Sequence, residues 1–316
     1  YDPNKFWITG MAYYRFDDDL NINDMGYQTR NNLSNFRTFT MYTENDFLTT
    51  SKILERTYKF GFSKKADTHG LQLSQNINLS FKQSFKDTSG FEIKVAHKSS
   101  GNNDLLTRGS ALAPFVKFGQ GGNYSLMYYG KQDARWSYWM YLSRDRQSLQ
   151  SFTTTSNNIA LGGYYYPSDN IKFGIHLGKY NTKNWLNWLE DNRLGTYPLD
   201  YFSFKANATW FPKEKHELRI KFQTNIMQTE TGTEWLADST GNLNSANSSA
   251  AGFDLGQLAF QVRYKYEISP LSHFYAVYTR GGRHYEDDDV NVSEIISRTW
   301  DNPKEDRFTL KLRMKF

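Results

Sequence analysis

Cysteine is absent from this 316-residue chain, so neither a disulfide framework nor a thiolate metal site is open to it. Long apolar runs are missing as well. Nothing approaches the stretch of about eighteen apolar residues that a transmembrane helix needs, which excludes a helical membrane protein. Charge of one sign is not in large excess: the formal balance is +5, and the cations are spread along the chain rather than gathered in a tail. Nucleic acid is therefore not expected as a partner. No G-x-S-x-G elbow, metal-binding His pair or phosphate loop occurs. The chain opens at Tyr1 without an initiator Met or secretory signal, and is expected to be processed or part of something longer.

Aromatics, by contrast, make up 17% of the residues, although the mean hydropathy is only −0.72. Alternation reconciles the two. In residues 307–316, RFTLKLRMKF, Phe308, Leu310, Leu312, Met314 and Phe316 share one strand face, while Arg307, Thr309, Lys311, Arg313 and Lys315 share the other. The same period recurs in Phe202, Phe204, Ala206, Ala208 and Trp210, and again in Leu218, Ile220 and Phe222. Fourteen segments alternate in this way: 5–16, 33–44, 53–63, 72–85, 90–99, 123–130, 134–145, 156–166, 171–182, 199–211, 216–230, 254–268, 272–282 and 307–316. Connections at 86–89, 131–133, 167–170, 212–215 and 269–271 are short, whereas those at 17–32, 100–122, 183–198, 231–253 and 283–306 are long. Only the stretch 241–252 reads as a flexible loop tip.

Apolar residues toward lipid, polar residues toward a wet interior, short turns on one side and long loops on the other describe an outer-membrane barrel. The expected fold is all-β: one antiparallel up-and-down transmembrane β-barrel over residues 1–316 with about fourteen strands, in the outer membrane of a Gram-negative bacterium. Membrane lipids and lipopolysaccharide are its expected surroundings. A soluble aromatic-rich β protein is the competing reading.

The inward faces lean basic: Lys205, Arg219, Lys221, Arg263, Lys265, Arg307, Lys311 and Arg313 fall there. A charged constriction of this kind favours anionic solutes; cross-strand ion pairing is the plainer role. Two loops share a spacing of oxygen ligands, Asp17, Asp19, Asn21 and Asp24 in one, Asp287, Asp289, Asn291 and Glu294 in the other. That pattern suits calcium, although the glycine of an EF-hand is missing and solvated acidic loops are the plainer account. Trp185 and Trp188, three apart, would share one face of a short helix, giving either a stacking platform for sugar rings or an anchor on the barrel rim. Phe316 supplies the terminal aromatic. No enzyme is expected; His284, beside Glu286 and Asp287, is the best-placed histidine for one, whereas His216 and His273 fall at short turns.

Residues 22–32, INDMGYQTRNN, with Asp24, Met25, Gly26, Tyr27 and Arg30, resemble the D-x-G-[FY]-x-x-R signature of a Gram-negative outer-membrane family whose barrel has no assigned function. Segments 200–223 and 255–282 are similar to its final hairpins. In that family the barrel usually follows a module similar to family-nine carbohydrate-binding domains. The resemblance implies further N-terminal strands, so that fourteen would be a lower bound. It supplies no catalytic or binding residues. A channel for a polar solute, anionic or saccharide, is the leading expectation. A plugged barrel serving as anchor or platform for a binding module or partner protein is the alternative.

Overall fold

A computed structural model describes residues 5–19, 30–132, 135–286 and 290–315. They form one antiparallel sheet of seventeen strands. In chain order these are β1 (Lys5–Phe16), β2 (Leu33–Glu44), β3 (Ile53–Ala66), β4 (Asn76–Phe85), β5 (Gly90–Lys98), β6 (Gly101–Asn103), β7 (Val116–Tyr129), β8 (Trp136–Leu149) and β9 (Thr153–Ser168). The long β10 (Ile171–Glu190) and β11 (Arg193–Lys213) follow, then β12 (His216–Thr229), β13 (Gly232–Ala237), β14 (Leu243–Ala250), β15 (Asp254–Ser269), β16 (Ser272–Glu286), the helix α1 (Val292–Asp301) and β17 (Glu305–Arg313).

Setting aside the short β6, β13 and β14, fourteen strands remain, and each is antiparallel to the next in the chain. Each of the fourteen alternating segments is thus a strand, shortened most at β4, which begins at Asn76, and at β17, which ends at Arg313. Leu73 instead makes an isolated bridge to Asn102. Antiparallel order places the connections after β2, β4, β7, β9, β11 and β15 at one end, the turn end, and the others at the opposite, loop end.

The register fixes the faces. Because the side-chain period is two, a one-residue slip would invert a whole strand. No such inversion occurs between neighbours in the middle of the sheet: Tyr58 lies opposite Phe81, Val95 opposite Tyr124, Leu161 opposite Leu177, Ile220 opposite Val262, and Ala276 opposite Leu310. One face is therefore apolar from β1 to β17, and the other polar. The apolar face is largely uncovered: Met11 is 77% exposed, Leu79 55%, Ile159 51% and Leu310 60%. Rings line it near the turn end, with centroids 4.8 Å apart for Trp7 and Tyr42, 5.1 Å for Tyr58 and Phe81, and 4.1 Å for Trp136 and Tyr165.

Four expectations need correction. The sheet is not closed: among the described residues β1 and β17 do not pair with each other, and each is an edge. The loop expected at 183–198 is the tip of the β10–β11 hairpin, turning at Asp191 and Asn192. The flexible tip expected at 241–252 holds β14, paired with β13, which itself pairs with β11. Of the loop at 283–306, the first residues extend β16 and residues 292–301 are helical.

The main buried cluster sits at the loop end. Ala113, Val116, Leu149, Leu194, Ala237 and Leu243 close on one another, with Trp188 and Trp235 against them. Arg108 lies 4.2 Å over the Trp188 ring, and Arg30 grips Asp104 through two bonds of 2.7 and 2.6 Å. Burying these apolar groups stabilises the cap, as side chains that lie isolated along the sequence become one small core.

Candidate functional site

The eight cations expected on the inner face do share the polar face of the sheet. Lys205 on β11 lies between His176 and Gln223. Lys221 lies between Asn207 and Gln261, and Lys265 between Glu217 and Tyr275. On the edge strand, Arg307, Lys311 and Arg313 stand opposite Thr279, Tyr275 and His273. These rows bring Lys205, Arg219, Lys221, Arg263 and Lys265 together on β11, β12 and β15. The β17 residues stand further on, beyond β16.

Arg219 and Arg263 are direct cross-strand partners, an arrangement that is repulsive on its own. Glu217 resolves it. Its side chain, 11% exposed, pairs with both guanidinium groups, at 2.9 Å from Arg263. Arg307 pairs with Glu305 at 3.0 Å. Among the described residues, Lys205, Lys221, Lys265, Lys311 and Arg313 have no such carboxylate. The polar face therefore combines an Arg–Glu–Arg group of net charge +1 with five cations that have no carboxylate partner among the described residues.

A second feature is assembled only by the fold. At the loop end of β8 to β15 a cavity of about 830 Å³ is lined by Arg144, Asn157, Asn181, Lys183, Asp200, Gln228, Glu230 and Asp254, with hydroxyls of Thr155 and Thr229 and the ring of Phe253. Following the register, Arg144, Asn157, Asn181, Asp200, Gln228 and Asp254 form one row. The row belongs to the apolar face, which turns polar here: Ile159 gives way to Asn157, Phe202 to Asp200, and Ile226 to Gln228. That shift in outward-facing residues is the one signal of it in the sequence. Asp200 is held by Lys179 at 3.6 Å, and the buried Asp254 accepts the Val290 N–H at 3.2 Å.

Beside this row α1 packs on β15 and β16. Ile295 and Thr299 are 1% exposed, and a Cβ at Gly256 would fall 2.5 Å from Ile295 Cγ2. Glycine is therefore required for the helix to sit this close. Asn291, placed in the calcium pattern, instead caps α1, accepting the Glu294 N–H at 2.9 Å. Glu294 pairs with Arg298, and Asp17 with Arg15. Asn21, Asp24, Asp287 and Asp289 lie outside the described residues, as do Phe316 and the Asp24–Tyr27 motif. Asp19 gathers no ligand set: among the described residues no three His, Asp or Glu side chains converge as a metal site would require. His284 bonds Glu286, which Arg298 also holds at 2.5 Å, so the best-placed histidine belongs to an ion-pair group beside the helix.

Trp185 and Trp188 do not form a common platform. A spacing of three aligns side chains on a helix but opposes them on a strand, and here both lie in β10. Trp185 packs with Tyr197 and Phe253, while Trp188 faces Arg108 and donates its indole N–H to the Asp191 carbonyl at 3.0 Å.

At the loop end, β13 carries a titrating contact. Arg193, followed by Ser248, holds the Glu234 carboxyl below its usual range of about 4.5. In the β13–β14 turn, the Thr240 hydroxyl and the Asn242 N–H push Asp238 down to about 2.

A family model described as Domain of unknown function (DUF5916) matches residues 5–315. No curated protein matches the chain.

Proposed function

The chain belongs to that family of unknown function, and from its own residues we propose that it forms the wall of an outer-membrane β-barrel in a Gram-negative bacterium, passing a polar solute along its polar face. The observation that carries this reading is the uncovered apolar face, continuous over fourteen strands and bordered by rings at the turn end. In water, apolar patches beyond a few hundred Å² mark an interaction surface; a lipid-facing band with aromatic girdles accounts for both the exposure and the rings. Open edges at β1 and β17 support a larger barrel, because unpaired backbone groups are not tolerated in hydrocarbon and further strands would complete the ladder. The five available cations favour an anionic or hydroxyl-rich solute over a cation.

A second reading has its own support. The loop-end core links β7 to β14, with Lys117 reaching Asn242 at 3.4 Å. Such a cap suits a barrel that is closed at one mouth and serves as anchor or platform for a partner protein or binding module.

Single-channel recording of the full-length protein in a planar bilayer, with reversal potentials in a salt gradient, tests the reading. Open steps with anion preference are expected. Silence from protein verified as inserted would refute the open channel and leave the platform.

A further inference from the structure

The polar cavity does not stand alone. Directly beside it, on the same face, lies an apolar groove of about 570 Å³ lined by Val95, Tyr124, Leu126, Leu142 and Ile159, and the two share Arg144 and Asn157. A hydroxyl- and amide-lined chamber joined to an aliphatic strip has the shape of an amphiphile. We propose that it is a binding site for a glycolipid, whose phosphorylated saccharide headgroup occupies the cavity and whose acyl chains lie down the groove. The proposal deepens the membrane reading above and rests on it.

The chemistry of each part supports that occupant. Asn157, which donates to Asn181 at 3.2 Å, keeps its carbonyl, Asn181 keeps its amino group, and Gln228, whose amino group is held by the Val290 carbonyl, keeps its carbonyl oxygen, so the row offers both donors and acceptors to sugar hydroxyls. Phe253, stacked on Tyr285 at 5.6 Å, adds an aromatic surface to the cavity wall against which a sugar can pack. Arg144 stands at the junction of the two chambers, where headgroup meets chain, and among the described residues no carboxylate pairs with it or with Lys183. Of the three carboxylates in the lining, Asp200 is held by Lys179, the buried Asp254 accepts the Val290 N–H, and Glu230 has no cation partner among the described residues. The cavity therefore sets two unpaired cations against one unpaired carboxylate, and Arg144, at the junction, can take a phosphate through paired charge-assisted bonds. The groove has the composition of the lipid-facing surface, and chains laid on it would continue the surrounding layer. A free sugar would leave the groove empty, and an ordinary phospholipid would leave most of the amide-lined cavity without a partner.

The test uses the full-length protein reconstituted in nanodiscs of phosphatidylethanolamine and phosphatidylglycerol with a minority of lipid A, followed by native mass spectrometry of retained lipid. Wild type is expected to keep lipid A in preference to phosphatidylglycerol. The R144Q/K183Q variant should retain about a hundredfold less, the scale expected for removing two charge-assisted hydrogen bonds, with phosphatidylglycerol retention unchanged. The deacylated phosphorylated disaccharide, added at equal concentration, should not displace lipid A. Both changes are on exposed side chains, and thermal midpoints matching wild type will show that the variant folds; N157A, also exposed, serves as a second variant with the same expected direction. Equal retention by inserted wild type and variants would overturn the proposal alone, as would displacement by the soluble disaccharide. Failure of the chain to insert into the bilayer would overturn the membrane reading together with it.

Discussion

Replacing Glu217 by Gln keeps the shape of the side chain and removes the one negative charge between Arg219 and Arg263. Cross-strand partners in an antiparallel pair have Cα atoms about 5 Å apart. Two unit charges at about 5.5 Å repel by roughly 3 kcal/mol at an effective dielectric of about 20, and by less than about 1 kcal/mol in bulk water. The guanidinium groups are intermediate: the side chains of Arg219 and Arg263 are 41% and 32% exposed. Screening therefore leaves a repulsion of about 1–2 kcal/mol, and removing both ion pairs brings the expected destabilisation to about 2–3 kcal/mol. The assay is denaturant unfolding of the reconstituted protein, followed by loss of strand signal. E217Q should unfold at lower denaturant. Added salt should restore part of the difference, since screening shortens the reach of the repulsion. The discriminating variant is E217Q/R263Q, which removes one of the repelling charges and should be more stable than E217Q alone. An unchanged midpoint in E217Q, or a further loss in the double variant, would refute the bridging role.

Two other outcomes follow from the loop end. Gly256→Ala should displace α1, because the new methyl enters space held by Ile295 and Thr299; overpacking costs about 1–3 kcal/mol, and a ten-residue helix has little stability of its own. Limited proteolysis should then cut residues 290–304 faster with the long strands unaffected, and unchanged protection would contradict the packing. Glu234 has a depressed carboxyl pKa, so its contribution is complete above the ordinary value of about 4.5 and is lost as pH falls through the depressed one. Hydrogen exchange in β13 should therefore be slower in wild type than in an E234Q control at pH 6, and the difference should vanish on acidification. The Asp238 turn, with its carboxyl at about 2, should persist to lower pH. A wild-type advantage that does not change with pH would exclude the Arg193 pairing as its source.

Much of the sheet is legible in the sequence because alternation is local: Phe308 to Leu312 declare their faces without reference to any other strand. What cannot be read there is set by the ladder or helix in which a residue comes to lie, whether its partner is near in the chain or far. Trp185 and Trp188 look like a helical pair until β11 supplies the ladder that makes them strand residues. Asn291 looks like a cation ligand until the helix it caps is present. The polar cavity is hidden for a related reason: Asn157, Asn181, Asp200 and Gln228 come from four strands, and only the register puts them in one row. Loop-end segments such as 243–250 look flexible because their polar residues carry no period, although β13 gives their backbone a partner.

The strand order also governs how the sheet can form. Each long strand bonds to the next long strand in the chain, so almost every ladder closes a hairpin, as when Ser269 meets Ser272. Contacts of this kind close short loops and can be made successively, whereas pairing that joins distant segments is slow to find. The edges of β1 and β17 are different. If they meet, they do so across roughly the whole chain; going from a loop of about thirty residues to one of about three hundred adds about 2 kcal/mol of closure entropy. That seam would then be the last ladder to form and the first to open, and any agent acting on the assembled wall would find its weakest line there.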